Sequence, residues 1–154
     1  MKNYNKFIIS IIILIAISVI IFVINIESGS FKNIVLSNFD EVRVISIIDS
    51  LQISDVTHTT DDYEKINNLL TYLNSLNLKQ MYFRNSKNDF VQYRICLSGI
   101  HDKKYSNSVI IELNNKKSIT VFFNTNQKVT EKTYKITNTE MDYNKLDEIF
   151  NNIK

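Results

Sequence analysis

The side chains able to do chemistry in this sequence are few and scattered. His58 lies near Asp55, Asp61 and Asp62, which would suggest a metal site, but the spacing matches no known ligand pattern. A polar turn between a strand and a helix accounts for the same cluster without a metal. His101 sits beside Asp102 in a loop rich in Lys and Ser, and Ser98 precedes it by three residues around Gly99. No GxSxG elbow surrounds that serine, so nothing places a base beside it. Cys96 is the only cysteine, with Arg94 two positions away, so no disulfide within the chain and no CxxC site can form. The carboxylate pairs Asp61/Asp62 and Asp147/Glu148 fall at a helix start and on an exposed helix face. No catalytic constellation emerges, and neither a metal nor a cofactor is expected.

Composition narrows the classes further. With only two glycines, Gly29 and Gly99, neither a dinucleotide fingerprint nor a P-loop can be written. The chain carries 18 basic and 16 acidic side chains; Lys2 and Lys6 precede an apolar stretch, leaving sixteen of each sign beyond it. A nucleic-acid binder needs a basic surplus to displace phosphate counterions, so no nucleic acid is expected as a partner. The 154 residues suit one folded domain.

Residues that must position any site begin after Phe7–Ile26, FIISIIILIAISVIIFVINI, twenty residues without a charge. Sixteen of them are Ile, Leu, Val or Phe, each favouring lipid by roughly 0.3–0.6 kcal/mol near a bilayer centre. The expectation is a transmembrane signal-anchor helix over 7–26, with membrane lipid as its partner. A buried core helix would need protein on every side, and the remaining residues are too few to wrap it. The alternative is a cleaved signal peptide, with Met1–Lys6 as its charged region and Ser28-Gly29-Ser30 as a poor cleavage site, the domain then being secreted. Lys2 and Lys6 on one flank and Glu27 on the other place residues 1–6 in the cytoplasm and the domain outside. A type IV pilin shares this outline, but Lys6 stands where that family has its processing glycine and Ile11 where it has its glutamate.

Residues 27–38 read as a juxtamembrane linker and 39–154 as an extracytoplasmic α+β domain. Glu41–Ile48 is β-branched throughout and predicts a strand; Leu51–Thr59 offers a weaker one. Asp61 with Glu64 fits a capping box for a helix over Asp62–Asn77. From Phe90 the apolar period changes to two, through Tyr93, Ile95 and Leu97, then Val109, Ile111 and Leu113, then Ile119, Val121 and Phe123, with Tyr134 and Ile136 in a shorter strand. A last helix from about Glu140 carries the stripe Leu146, Ile149, Phe150 and Ile153, capped by Thr139 or Asp142. The expected fold is a two-layer domain, an antiparallel meander of four to five strands with two helices on one face.

On the other, mostly polar sheet face, Phe90, Ile110 and Phe122 interrupt the pattern and form a possible partner surface. Cover by the linker or by the Thr125–Thr130 loop is the competing expectation.

The Lys-flanked anchor, the strand leading into DDYEKINNLLTYLNSL, and the meander closing on YKITNTEMDYNKLDEIF resemble the small membrane- or lipid-anchored extracytoplasmic proteins of low-GC Gram-positive bacteria. That resemblance is one of layout and implies no particular activity. The expectation for function is therefore a non-catalytic module in the cell envelope that binds another protein or a wall component. Alternatives are an envelope hydrolase or thiol enzyme using His58, His101 or Cys96, and a sensory or immunity partner of another membrane protein.

Overall fold

A computed structural model of the chain describes residues 2–24, 26–50, 56–82, 91–101, 105–125 and 128–153. The first element, α1, is a helix over Lys2–Ile24, and every described side chain on it is exposed. The expected transmembrane helix over 7–26 is corrected here. Among the described residues no helix is long and apolar enough to cross a membrane.

The four- to five-stranded meander also requires correction. Among the described residues, eight strands form one antiparallel sheet: β1 Ser28–Ser30, β2 Glu41–Asp49, β3 Val56–Thr60, β4 Asn77–Met81, β5 Tyr93–His101, β6 Tyr105–Asn115, β7 Ser118–Thr125 and β8 Lys128–Ile136. Their order is β1-β4-β8-β7-β6-β5-β2-β3. The consecutive run β5 to β8 is the meander that alternation announces. The sheet is wider because β2 and β3 add to the β5 edge, while β4 and β1 add to the β8 edge. β1 and β4 are short and polar on one side, SGS and NLKQM, so neither carries enough alternation to be read as a strand. Pairing of Leu78 with Ile136 and Gly29 with Leu78 supplies what their own sequence lacks.

One face of the sheet is the core face. Ile45 and Ile47, Tyr93, Ile95 and Leu97, Val109, Ile111 and Leu113, Ile119 and Val121, and Tyr134 and Ile136 are all buried there. Against it pack α3, Tyr63–Asn74, and α4, Tyr143–Ile153. Their apolar stripes, Ile66, Leu69 and Leu73 on α3 and Leu146, Ile149, Phe150 and Ile153 on α4, recur at helical spacing and are buried. The N-cap of α3 is Asp62, one residue later than the capping box suggests: its carboxylate accepts from the Glu64 N–H at 2.9 Å and the Lys65 N–H at 3.4 Å. Asp142 serves α4 in the same way through the Lys145 N–H at 3.2 Å. The Tyr72 hydroxyl accepts the Asp142 N–H at 2.8 Å, which ties the two helices together.

The segment 27–38, expected as a linker, is part of this domain. After β1 it forms a single helical turn, α2, Phe31–Ile34, capped by the Ser30 side chain, and then a 3-10 turn over Leu36–Asn38. Phe31 and Val35 are fully buried, and the Phe31 N–H donates to the Leu76 carbonyl at 2.9 Å. Four apolar residues among polar neighbours give no sequence period to follow. Tertiary contact alone fixes the turn.

Candidate functional site

The face opposite the helices is built by strand register. Ile110 on β6 stands directly opposite Phe122 on β7 and, on its other side, opposite Cys96 on β5. Cys96 faces Ser46, and Ser46 faces Thr59, so one row across the sheet reads Thr59, Ser46, Cys96, Ile110, Phe122, Glu131. The adjoining row is polar. Arg94 donates to Glu112 through Nη2 at 2.7 Å and Nε at 3.2 Å, and the Thr120 and Thr133 hydroxyls meet at 3.2 Å. Ile110 is 36% exposed, while Phe122 and Cys96 are half-buried. Phe90, the third member of the expected surface, lies outside the described residues. The segment 27–38 does not cover this face, since Phe31, Ile34 and Val35 are committed to the core on the other side.

The three residues considered for catalysis are placed apart. Cys96 is on the open face, its Sγ 4.0 Å from the Ser98 Oγ. His58 belongs to the edge strand β3 and pairs with Ile47, a core-face residue. His101 closes β5, five residues beyond Cys96, or about 17 Å along the strand. Asp62 is occupied as a helix cap, and Asp55 and Asp102 lie outside the described residues. Among the described residues no group of three His, Cys, Asp or Glu is arranged to hold a metal ion.

His58 does have company that the sequence concealed. It lines a cleft of about 210 Å³ with Ile47, Asp49, Tyr93, Asp147, Phe150 and Asn151. The Tyr93 hydroxyl donates to Asp147, and the Tyr93 and Phe150 rings meet edge to face at 4.6 Å between centroids. Burial, reinforced by that hydrogen bond to Asp147, pushes the Tyr93 hydroxyl well above its ordinary range, so it stays protonated. The members come from β2, β3, β5 and α4. No spacing in the sequence could have joined them.

A second polar cluster lies where α1 gives way to the sheet. The Glu27 carboxylate accepts from Lys132 Nζ at 2.9 Å and from the Tyr134 hydroxyl at 2.7 Å, across more than a hundred residues of chain. Burial pushes the Glu27 carboxyl up, but the hydrogen bonds from Tyr134 and Lys132 outweigh it and the net displacement is downward. A carboxylate depressed by folding stabilises the fold above its unfolded value and loses that contribution as pH falls through the folded one. Glu27→Gln should therefore cost stability at pH 7, on the order of 1 kcal/mol once solvent access is discounted. The gap between wild type and variant should close below about pH 4. Melting curves of both proteins from pH 7 to pH 3 check this; a gap that persists at pH 3 would contradict the ionic lock.

No family model, no curated protein and no solved structure matches this chain.

Proposed function

We propose that the chain is a non-catalytic binding module of the cell envelope, with membrane lipid contacted through residues 7–26 and the domain extracytoplasmic. Its partner is another envelope protein or a wall component, taken up on the open face of the sheet. The observation that carries this is the row Cys96, Ile110, Phe122, an apolar strip on adjacent strands of the face opposite α3 and α4. An aliphatic and an aromatic residue directly opposite each other on neighbouring strands, bordered by the Arg94–Glu112 pair, have the apolar centre and polar rim of a partner surface. The separation of His58, His101 and Cys96 supports binding over catalysis, because nucleophile and base need hydrogen-bond reach.

A photoreactive residue at position 110 in intact cells tests the surface, with position 116 in the exposed turn between β6 and β7 as reference. Adducts at 110 should exceed those at 116 by about tenfold, and Phe122→Ser should reduce them by a similar factor, which corresponds to about 1.4 kcal/mol of lost contact. Equal labelling at the two positions would remove the open face as the partner site. Sedimentation of the full chain with membranes after carbonate washing tests the compartment separately.

A further inference from the structure

Little chain separates α1 from the sheet. α1 ends at Ile24 and β1 begins at Ser28, the Gln80 N–H donates to the Glu27 carbonyl at 2.8 Å, and the Glu27 carboxylate is clamped by Lys132 and Tyr134. Three residue steps from Ile24 to Glu27 reach at most about 11 Å. One end of the sheet is therefore tethered close to α1, and strand direction says which. β1 runs away from Glu27, so the antiparallel β4 ends at Met81 facing back toward α1, and the antiparallel β8 begins at that same end. Tyr82 follows Met81 there. Lys132 lies one residue below the Met81–Thr133 pair, so Lys128 and Val129 continue three to four residues past the level of the clamp, about 10–13 Å further toward α1.

What this end exposes is unusual for the domain. Outside α1, the described large apolar side chains that are exposed are Tyr63, Tyr82, Ile110 and Val129; Tyr82 is 45% and Val129 63% exposed. Two of these four are at the end where α1 arrives, with Lys128 exposed beside them. Tyrosine, an aliphatic side chain and lysine together suit the water–lipid boundary, where rings and lysine stems enter the acyl edge and polar tips stay among headgroups.

We propose that this end of the sheet, Tyr82 with Lys128 and Val129, rests in the headgroup layer of the bilayer, so that the domain stands on the membrane surface. The inference depends on the membrane placement proposed above. The lipid is chosen over a protein partner because the tether leaves this end no distance from whatever surface receives α1. The Glu27 carboxylate at this boundary is paired with Lys132.

The full chain in vesicles of phosphatidylglycerol and phosphatidylcholine, doped with a headgroup-nitroxide lipid, provides the test. Single fluorophores are attached through Tyr82→Cys, Val129→Cys or Lys116→Cys in a Cys96→Ser background; Lys116 is in the turn at the opposite end of the sheet. Quenching at 82 and 129 should exceed that at 116 at least threefold. Equal quenching at all three positions, in protein that stays with the vesicles through a carbonate wash, would overturn the resting surface and leave the membrane placement standing. Protein that washes off the vesicles would overturn both.

Discussion

Phe31→Ala should unfold the domain at temperatures the wild type tolerates. Phe31 is fully buried at the start of α2, in one cluster with Leu73, Leu76 and Leu78, and its N–H is bonded to the Leu76 carbonyl. Truncating a buried phenylalanine removes its transfer free energy and leaves a cavity that the sheet and α3 close only in part, a loss of about 3–5 kcal/mol. For a domain of this size, each kcal/mol lowers Tm by roughly 4 °C, so a drop of more than about 10 °C is expected in a calorimetric or circular-dichroism melt. Lys32→Ala, at the exposed neighbour, should stay within about 0.5 kcal/mol of wild type. Equal melting of the two variants would return residues 27–38 to the role of a tether and take the proposed resting surface with it.

Gly99→Ala is the second change with a large expected effect, and its cause is different. β2 and β5 slip register between Val42 and Val44, so the chain bulges at Arg43 and the backbone of Glu41 crosses close to Gly99. A methyl group built on Gly99 would meet the Glu41 carbonyl oxygen at 2.1 Å and the Phe39 ring at 3.0 Å. The nearer obstacle is main chain rather than a flexible side-chain tip, so relief requires the bulge to shift and the Glu41–Ile100 pairing to open. Overpacking of this kind costs about 1–3 kcal/mol where side chains can yield, and backbone contact places this case at the upper end or beyond. Gly29 gives the internal comparison. A methyl group there finds its nearest neighbours at 3.8–3.9 Å, ordinary contact distance, and Gly29→Ala should be close to neutral. Urea melts of the two variants side by side decide the matter, and equal midpoints would rule out the close approach.

How far the sequence leads can be followed through these elements. Where one face is buried and the other is wet, alternation announces the strand, and β5, β6, β7 and β8 are all readable in that way. Helix stripes are equally plain in α3 and α4, although the α3 cap is Asp62 where two adjacent aspartates compete for the role. What stays hidden depends on non-local pairing. β1 is three residues long and β4 five, and each exists because it lies against a neighbour far away in sequence. Glu27, Lys132 and Tyr134 meet for the same reason, as do His58, Tyr93 and Asp147. Ile110 and Phe122, by contrast, belong to strands joined by a short turn, so their shared face follows from counting residues along the hairpin.

The strand order also sets a timetable for biosynthesis. The β1–β4 pair has no neighbour on the inner side of β4 until β8 arrives, and β8 is the last strand to be made. At typical translation rates the ribosome takes about 2–10 s to extend from Met81 to Lys128. During that interval Phe31, Leu76 and Leu78 have no finished sheet to cover them. The growing chain must carry a greasy, half-built wall through its own synthesis, and a chaperone that shields such surfaces would find its substrate there.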